Sequence, residues 1–360
     1  MPTAFITGAT GFIGGHIVRR LASRGYRIRA LVRSTSRRDG LENFPVEWVD
    51  GDLSHTGALR EAMEGCNFVF HAAADYRLWA RYPAAMYATN VDGTRNVLQA
   101  ALDAKVDRLV YTSTVGTIGL NGHHQPVDET SFLKLEKHTG HYKKSKFLAE
   151  QEALKFAKKG LPVIIVNPSA PVGSHDWKPT PTGRIVLDFI NGRIPMYLDT
   201  GLNFVDVEDV AEGHVLAAHK GRIGERYILG HQNLKLKELL NMLAGITGIP
   251  APDLKLPYPL ALMAGWTSEL LTRITGGNEP RVPLEGVHMA RKYMFFKSDK
   301  AMRELGYRPG TVRAALWKAV QWFSENGYLK QPLPSSFVPI PAISSNDDAA
   351  MVEEAIAIAE

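Results

Sequence analysis

A tyrosine and a lysine stand four residues apart, at Tyr142 and Lys146, in a stretch whose pattern predicts a helix over residues 142–157. Residues four apart share one face of a helix, so the phenol and the ammonium would be neighbours. A free tyrosine has a pKa of about 10, and a nearby positive charge favours the phenolate and lowers that pKa. The pair is therefore suited to exchange a proton with a substrate at neutral pH. The alternative is a surface helix with a basic face.

A hydroxyl-rich segment, Thr112-Ser113-Thr114, follows a predicted strand over residues 108–111. Thr114 is placed to hydrogen-bond the same substrate oxygen as Tyr142, and Lys146 is placed to hold the hydroxyls of a ribose as well. Thr114, Tyr142 and Lys146 are thus the candidate catalytic residues. Their chemistry depends on the ligand that the rest of the chain can bring to them.

The first thirty-three residues predict an element that would position such a ligand. A buried strand over residues 3–7 leads into a glycine-rich turn, a helix, and a second strand over residues 26–33. A pyrophosphate binds against bare backbone N–H groups at a helix N-terminus, where the helix dipole favours negative charge. The first glycine allows the tight turn, the second the approach of the ligand, and the third the packing of helix on strand. The turn therefore predicts a dinucleotide site that includes Gly8, Thr10, Gly11, Phe12, Ile13 and Gly14.

The end of the second predicted strand indicates which dinucleotide binds. NAD sites usually carry Asp or Glu there, about twenty residues after the glycines, to bind the ribose 2′-hydroxyl. This chain has Arg33 instead, with Arg37 and Arg38 close behind. Because an arginine pairs with a phosphate and cannot accept from two hydroxyls, we predict NADP(H) as the cofactor, with NAD(H) as the alternative. A solvated basic loop would explain the same residues without a ligand.

Strands and helices alternate six times in the first 170 residues, which predicts an α/β fold. The expected architecture is a Rossmann-type doubly wound parallel sheet with a smaller C-terminal α/β substrate lobe. Ligands bind beyond the carboxyl ends of the strands in such a sheet. Asp52 is placed there to accept from an adenine amino group, and an ordinary turn or N-cap residue is the alternative. The predicted cofactor-binding residues are completed by Asp52, Leu53, Ala72, Ala73, Ala74, Asn90, Thr112, Tyr142, Lys146 and Pro168.

The rhythm of the chain changes after residue 170, which predicts a division into three parts. Residues 1–170 form the NADP-binding domain, residues 171–330 the substrate lobe (mainly 171–200 and 231–300), and residues 331–360 an extended tail with a loose helix over 349–360. Short strands at Val205–Val207 and Tyr227–Leu229 are expected to rejoin the main sheet. The apolar run Pro257–Leu271 predicts a core helix, with contact to a lipid-like substrate or a membrane surface as the alternative.

The composition is that of an ordinary globular protein, with 45% hydrophobic and 22% charged residues. A net charge of +5, scattered beyond the first third, suits an anionic cofactor and gives no basis for a nucleic-acid partner. The single cysteine, Cys66, excludes an internal disulfide. With neither a signal peptide nor a membrane span apparent, we expect a cytoplasmic protein. The loop histidines lack a compact carboxylate or thiolate partner, so no metal site is predicted at His123, His124, His138 and His141.

These motifs resemble the extended short-chain dehydrogenase/reductase superfamily, a resemblance that covers roughly residues 1 to 300. It rests on Gly8–Gly14, His71–Ala74, Thr112–Thr114 and Tyr142–Lys146. Within that superfamily the chain is similar to the dihydroflavonol-reductase-like branch, and most to hopanoid-associated sugar epimerases. This last similarity rests on residues 75–80, 167–173, 178–184 and 221–230. The resemblance implies Thr114, Tyr142 and Lys146 as the catalytic set rather than Ser113, a small-molecule substrate and, in many members, a homodimer.

Two departures from the superfamily bear on the reaction. Dehydratases carry Asp-Glu after the catalytic threonine, where this chain has Val115-Gly116. Sugar-nucleotide epimerases usually have an arginine before the segment matching residues 204–207, where this chain has Leu202-Asn203. We therefore predict an NADP(H)-dependent oxidoreductase that acts on a secondary alcohol or ketone. An epimerase with a transient keto intermediate and a retained cofactor is the first alternative, and a non-catalytic NADP(H) sensor is the second.

Overall fold

The computed structural model describes residues 1–335 and 337, except residues 123, 134, 138 and 278. Its first part consists of β1 (Thr3–Thr7), α1 (Phe12–Ser23), β2 (Arg27–Val32), β3 (Val46–Asp50), α2 (Thr56–Met63), β4 (Phe68–His71), α3 (Pro83–Tyr87), α4 (Gly93–Asp103), β5 (Arg108–Thr112), α5 (His141–Lys158), β6 (Val163–Pro168) and β7 (Ala170–Val172). The second part consists of α6 (Pro181–Ile190), β8 (Gly201–Asp206), α7 (Val207–Lys220), β9 (Arg226–Leu229), β10 (Gln232–Lys235), α8 (Leu236–Thr247), α9 (Tyr258–Thr275), α10 (Leu284–Met289), β11 (Tyr293–Met294), α11 (Asp299–Leu305) and α12 (Val312–Glu325).

Seven strands form one parallel sheet in the order β3-β2-β1-β4-β5-β6-β9. Helices α1, α7 and α11 cover one face around a core that includes Ile17 and Val215, and α2, α4 and α5 cover the other around Leu59 and Val97. The strand order reverses between β1 and β4, which creates a crevice at their carboxyl ends. The predicted Rossmann-type doubly wound sheet is confirmed.

A second, four-stranded sheet lies beyond the end of β6. Strand β8 pairs with β7, β10 and β11, and α6, α8 and α12 pack around it with a separate core. The expectation that Val205–Val207 rejoins the main sheet is therefore wrong, whereas β9 does rejoin it beside β6. The chain between β6 and β9 passes through β7, α6, β8 and α7. Because β9 takes the position beside β6 in the main sheet, β8 pairs with the strands of the second sheet instead.

Two helical segments have local features that set their bounds. Helix α6 begins at Pro181, because Thr180 caps it and Pro181 occupies its first turn. The helical segment from Pro83 to Asp103 is interrupted by a π-helical turn, Ala88–Asp92, which carries Asn90 between α3 and α4. Such turns widen a helix by one residue and re-aim its side chains.

Helix α9 does not fit the expected core helix. Its large apolar residues are exposed, and only Ala261, Gly265 and Thr272 are buried. Even so, no helix in the described part of the chain is long and apolar enough to cross a membrane. Most of the predicted tail, including the loose helix over residues 349–360, lies outside the described residues.

Candidate active site

The turn between β1 and α1 is packed so closely that two of its glycines, Gly8 and Gly14, have no room for a side chain. Gly8 has a left-handed conformation (φ +76°), and a Cβ there would lie 2.6 Å from the backbone nitrogen of Ala73. The Gly11 N–H donates to the Gly8 carbonyl at 2.9 Å, and a Cβ on Gly14 would overlap that same oxygen. No side chain in the described residues caps the first turn of α1. This cradle of bare backbone fits a pyrophosphate, which binds the N–H groups of a helix N-terminus.

The other predicted residues of this turn lie around the cradle. Thr10 is half-buried, the Phe12 ring packs edge-on against His16 at 5.7 Å, and Ile13 packs against the core on that face of the sheet. The half-buried residues Ala72–Ala74 follow β4 directly against Gly8. Two neighbouring strand ends thus form one continuous wall of small residues at the carboxyl edge of the sheet.

A buried histidine that sequence reasoning had not assigned joins the first strands to α4. The two His71 ring nitrogens lie 2.7 Å from the Thr7 hydroxyl and 2.9 Å from the Thr94 hydroxyl, and Thr94 donates to the carbonyl of Asn90. Burial, reinforced by the charge of Lys146, lowers the pKa of His71 to about 3. His71 is therefore neutral and holds the crevice floor together.

Asn90 was predicted to contact the cofactor, but its side chain hydrogen-bonds to other residues of the protein. Its Nδ2 group donates to the carbonyl of Asp75 at 2.9 Å and to the Ser145 hydroxyl at 2.9 Å, and its Oδ1 accepts from the Asp75 N–H at 2.7 Å. Both amide hydrogens are thus used within the protein, and the side chain is buried. Because Ser145 lies on α5 between Tyr142 and Lys146, Asn90 positions the catalytic helix against the segment after β4.

The candidate catalytic residues converge at the end of β5. The Thr114 hydroxyl accepts from the Gly116 N–H at 3.1 Å, and the Thr114 side chain acts on the Tyr142 phenol by lowering the pKa of that group. Lys146, one turn along α5, donates through Nζ to the Thr112 carbonyl at 2.7 Å. The structure therefore brings Thr114, Tyr142 and Lys146 together beside the crevice of the parallel sheet.

The electrostatics differ from the sequence-based expectation. Burial raises the pKa of Tyr142 to about 12, the hydrogen bond from Thr114 acts in the opposite direction, and the charge of Asp75 adds to the rise. Burial also lowers the pKa of Lys146 to about 7, against the attraction of Glu150, which raises it. Desolvation disfavours every charged form, and in this arrangement it outweighs the expected stabilisation of the phenolate by the lysine.

The hydroxyls beside Thr114 are engaged elsewhere. The Thr112 hydroxyl lies 2.9 Å from Nε2 of His214, on the other side of the strand, so its expected cofactor contact would have to come from its backbone. The Ser113 hydroxyl donates to the buried carboxylate of Glu150. Strand β5 ends at Thr112, and Thr114 caps the short helical turn that follows, which leaves Thr114 as the hydroxyl on the side of Tyr142.

Glu150 is a site residue that sequence reasoning missed. It follows Lys146 by four residues on α5, is buried, and accepts through Oε2 from Ser113, from Thr117 at 2.9 Å and from Asn167 at 3.0 Å. Its other oxygen lies 3.4 Å from the Arg226 guanidinium. The signal was the four-residue spacing of Tyr142, Lys146 and Glu150, which marks one helical face. The donors come from other elements that the spacing does not identify.

The nucleotide end of the crevice carries the remaining predicted residues. Asp52 accepts from the Ser54 N–H at 2.7 Å, as a turn residue does, and Leu53 packs where a Cβ on Gly93 would lie. Arg33 is exposed directly after β2, and the Arg37 guanidinium lies 2.7 Å from the carboxylate of Asp39.

At the far side of the crevice, Pro168 ends β6, buried beside Leu229 of β9. In the described ranges no group of three or more His, Cys, Asp or Glu side chains could hold a metal ion, and His123 and His138 fall outside those ranges.

Helix α10 borders the candidate catalytic residues. A Cβ on Gly140, which precedes α5, would lie 2.5 Å from the carboxyl carbon of Glu285, and a Cβ on Gly286 would lie 3.7 Å from the Leu78 side chain. Between α10 and the turn after Thr114 lies a small cavity of about 80 Å³. Its wall is both apolar and polar, and its lining is Val115, Gly116, Ile118, Leu120, Leu133, Thr139, Lys143, His288, Met289, Lys292 and Met294.

Comparison with known proteins agrees with this geometry. Residues 4–230 match the model of the NAD dependent epimerase/dehydratase family. A Synechocystis protein named as a dihydroflavonol 4-reductase is 47% identical, over 91% of this chain and 96% of that protein. Sterol demethylase protein B of Methylococcus capsulatus is 34% identical, over 91% of this chain and 100% of that protein. The crystal structure of gox2253 matches with a TM-score of 0.82 and 46% identity, over 92% of this chain and 100% of that one.

Proposed function

Because this chain belongs to the NAD-dependent epimerase/dehydratase family and is an NAD(P)-dependent oxidoreductase or epimerase, we propose that it reduces a ketone to a secondary alcohol with NADPH. The observation that carries the proposal is the convergence of Thr114, Tyr142 and Lys146 at the end of β5, beside the glycine cradle. When bound, the nicotinamide supplies the hydride. The chain's own residues hold the cofactor, orient the carbonyl and move the proton.

In this proposal Tyr142 is the acid. A phenol whose pKa is raised to about 12 stays protonated at neutral pH and can donate its proton to the carbonyl oxygen as negative charge develops there. The Thr114 hydroxyl donates a second hydrogen bond to the same oxygen. Lys146 would hold the nicotinamide ribose hydroxyls through the Nζ hydrogens that the Thr112 carbonyl does not take.

We also propose that NADP(H) is preferred over NAD(H). Arg33 stands exposed at the end of β2, where the ribose of the adenosine half would lie, and no carboxylate follows it in the next two residues. Arg38 stacks over the Trp48 ring at 4.9 Å, which holds a second guanidinium at this end of the sheet. Guanidinium groups pair with a 2′-phosphate, whereas they cannot accept from ribose hydroxyls.

The segment around Asn203 favours a less charged substrate than a sugar nucleotide. Its amide donates to the carbonyls of His231 and Phe296 and to Asn233 within the second sheet. The position that would hold a diphosphate-binding arginine is thus occupied by a structural side chain. The names of the relatives, a dihydroflavonol reductase and a sterol demethylase component, are compatible with such a substrate.

The test is NADPH consumption with a panel of ketones and sugar nucleotides, with products identified by NMR. Replacing Tyr142 with phenylalanine should lower kcat by at least about 100-fold and leave the Kd for NADPH within about twofold, because general acid catalysis contributes that much. Tyr82→Phe, a change at an exposed tyrosine, is the matched control. Undiminished turnover in Tyr142→Phe would refute the assignment. Isomerised sugar without net NADPH loss would establish the epimerase instead, and tighter binding of NADH than of NADPH would overturn the cofactor choice.

A further inference from the structure

Helix α9 packs on the protein with its small residues and exposes its large apolar side chains to solvent, which is the reverse of a core helix. Its six large exposed apolar side chains include Trp266 at 60% exposure and Ile274 at 74%. The residues that it buries against the rest of the chain are small, and a Cβ on Gly265 would lie 3.2 Å from Leu284 and Val287 of α10. The complete exposed set is Leu260, Met263, Trp266, Leu270, Leu271 and Ile274.

The exposed set forms one continuous stripe. At 100° per residue, the six residues span an arc of about 140° around the helix axis. The buried residues Ala261, Gly265 and Thr272 lie on the opposite side. Helix α9 is therefore amphipathic with its apolar side turned outward, which is the arrangement of helices that lie in a membrane interface.

Positive charge surrounds this stripe. The Arg81 guanidinium donates to the carbonyl of Arg273 near the end of α9, and both side chains are exposed. Arg281 is exposed in the segment that returns alongside the helix, and Arg291 lies 5.8 Å from the Tyr258 ring at its other end. The exposed acid of the same segment is Glu279. Basic groups thus flank the apolar stripe at both ends.

The stripe also lies next to the candidate active site. Helix α9 packs on α10, and Ser268 and Glu269 of α9 accept the backbone N–H groups of Val282 and Leu284. Glu285 of α10 in turn lies beside Gly140, which precedes α5 and is two residues before Tyr142. A molecule bound beside the exposed stripe of α9 would therefore reach the crevice by passing over α10.

We propose that the exposed stripe of α9 docks this protein on the surface of an anionic lipid bilayer, with its six apolar side chains in the interface and the flanking arginines on the headgroups. The bilayer would then supply an apolar ketone to the crevice, a step that rests on the proposed reductase function. Apolar burial and headgroup attraction both favour this docking.

Charge argues against a second copy of this chain as the occupant. Pairing two stripes about a twofold axis would bring arginines of one copy close to those of the other, whether the helices run parallel or antiparallel. Like charges brought together at an interface oppose association, whereas anionic headgroups complement them. The bilayer is therefore the partner that the surface fits.

The experiment is co-sedimentation of the full chain with vesicles of phosphatidylcholine and phosphatidylglycerol in equal parts. Wild-type protein should bind these vesicles, and added salt should weaken the binding. Trp266→Ser with Ile274→Ser should lower the partition coefficient at least tenfold. Ile223→Ser with Met302→Ser, two exposed apolar residues away from α9, should leave it unchanged. Arg273→Gln with Arg281→Gln should reduce binding to these vesicles and not to pure phosphatidylcholine.

The outcomes separate the docking from the reductase. Unchanged binding of the α9 variant, or a wild-type dimer that this variant dissociates without any vesicle binding, would overturn the docking. Turnover of a water-soluble ketone without vesicles should be equal in wild type and in the α9 variant, which also verifies folding. If no ketone is reduced but the vesicle result holds, the proposed function fails and the docking stands. Turnover without vesicle binding would leave the reductase and remove the docking.

Discussion

At the residue scale, three titratable groups lie at four-residue intervals on one face of α5. The Tyr142 phenol is held protonated by burial, the Lys146 ammonium is destabilised by burial, and the Glu150 carboxylate beneath them opposes that effect on the lysine. Hydrogen-bond donors from four other residues converge on the buried carboxyl group of Glu150. The helix face thus carries an acid, a cation and its counter-ion in order.

The two directions of the reaction should depend differently on pH. With the pKa of Tyr142 raised to about 12, ketone reduction uses the form present at neutral pH and should not decline through loss of the phenol proton below about pH 9. Alcohol oxidation needs the phenolate, so its rate should rise about tenfold per pH unit between about pH 7 and 9. Steady-state kcat/KM in both directions checks this. An oxidation rate independent of pH would exclude Tyr142 as the base.

Replacing Glu150 with glutamine should weaken cofactor binding through Lys146. Loss of the negative charge lowers the pKa of Lys146 below about 7, so fewer molecules carry the ammonium that is proposed to hold the ribose. We expect the pH at which the Kd for NADPH begins to rise to move to lower values by about one unit. Isothermal titration from pH 5.5 to 8.5 measures it.

Glu152→Gln is the matched control, because it makes the same substitution at another glutamate of α5. Glu152 pairs with Arg95 and Lys155. Its profile should match wild type. An identical profile for Glu150→Gln would contradict the coupling of Glu150 and Lys146.

At the element scale, the unit that matters is β1, its glycine turn and α1. The turn brings the start of α1 so close to the end of β4 that the cradle is made of backbone alone. The adjacent glycines Gly14 and Gly15 differ in how much room each has for a side chain. Gly14 contacts the carbonyl of Gly8, whereas the nearest atom to a Cβ on Gly15 is the flexible end of Arg19, at 3.2 Å.

Gly14→Ala should therefore destabilise the fold by about 2 kcal/mol and weaken NADPH binding at least tenfold, because the helix must move away from the turn. Gly15→Ala, one residue along, should be neutral or stabilising by up to about 1 kcal/mol, as expected within a helix. Urea denaturation and cofactor titration of the two variants make the comparison. Equal behaviour would show that the turn tolerates a side chain at Gly14.

At the scale of the whole molecule, a cluster of three charged side chains joins the two cores. Lys318 of α12, which belongs to the core of the second sheet, lies 3.2 Å from Asp206 and 2.7 Å from Glu208 at the start of α7. Burial, with the charge of Glu208, raises the pKa of Asp206 to about 7. Since α7 packs on the main sheet, this cluster ties α12 to the seven-stranded sheet.

Lys318→Met should cost about 3 kcal/mol of unfolding free energy at pH 8, because it leaves the buried carboxylate of Asp206 without its cation. The pKa of Asp206 is higher in the folded than in the unfolded state, so its burial costs more as the pH rises toward 7 and less as it falls. The loss should therefore be smaller at pH 5.5. Lys255→Met, which breaks an exposed pair with Asp199, should cost less than about 0.5 kcal/mol at both pH values. Equal losses for the two variants would refute the linkage.

The sequence by itself determined the parts of this protein that local patterns encode. The glycine spacing, the alternation of strands and helices, and the four-residue spacing of Tyr142 and Lys146 depend only on neighbours along the chain. They predicted the Rossmann-type sheet and the gathering of the candidate catalytic residues. Tertiary structure alone decided that β8 pairs in a second sheet and that Asn90 is used internally.

Burial also belongs to the assembled molecule. Packing raised the pKa of Tyr142 when its lysine neighbour was expected to lower it, and it turned the apolar side of α9 outward. Both facts depend on which residues distant in sequence surround a side chain, and one helical period cannot distinguish an apolar stripe that faces a core from one that faces away.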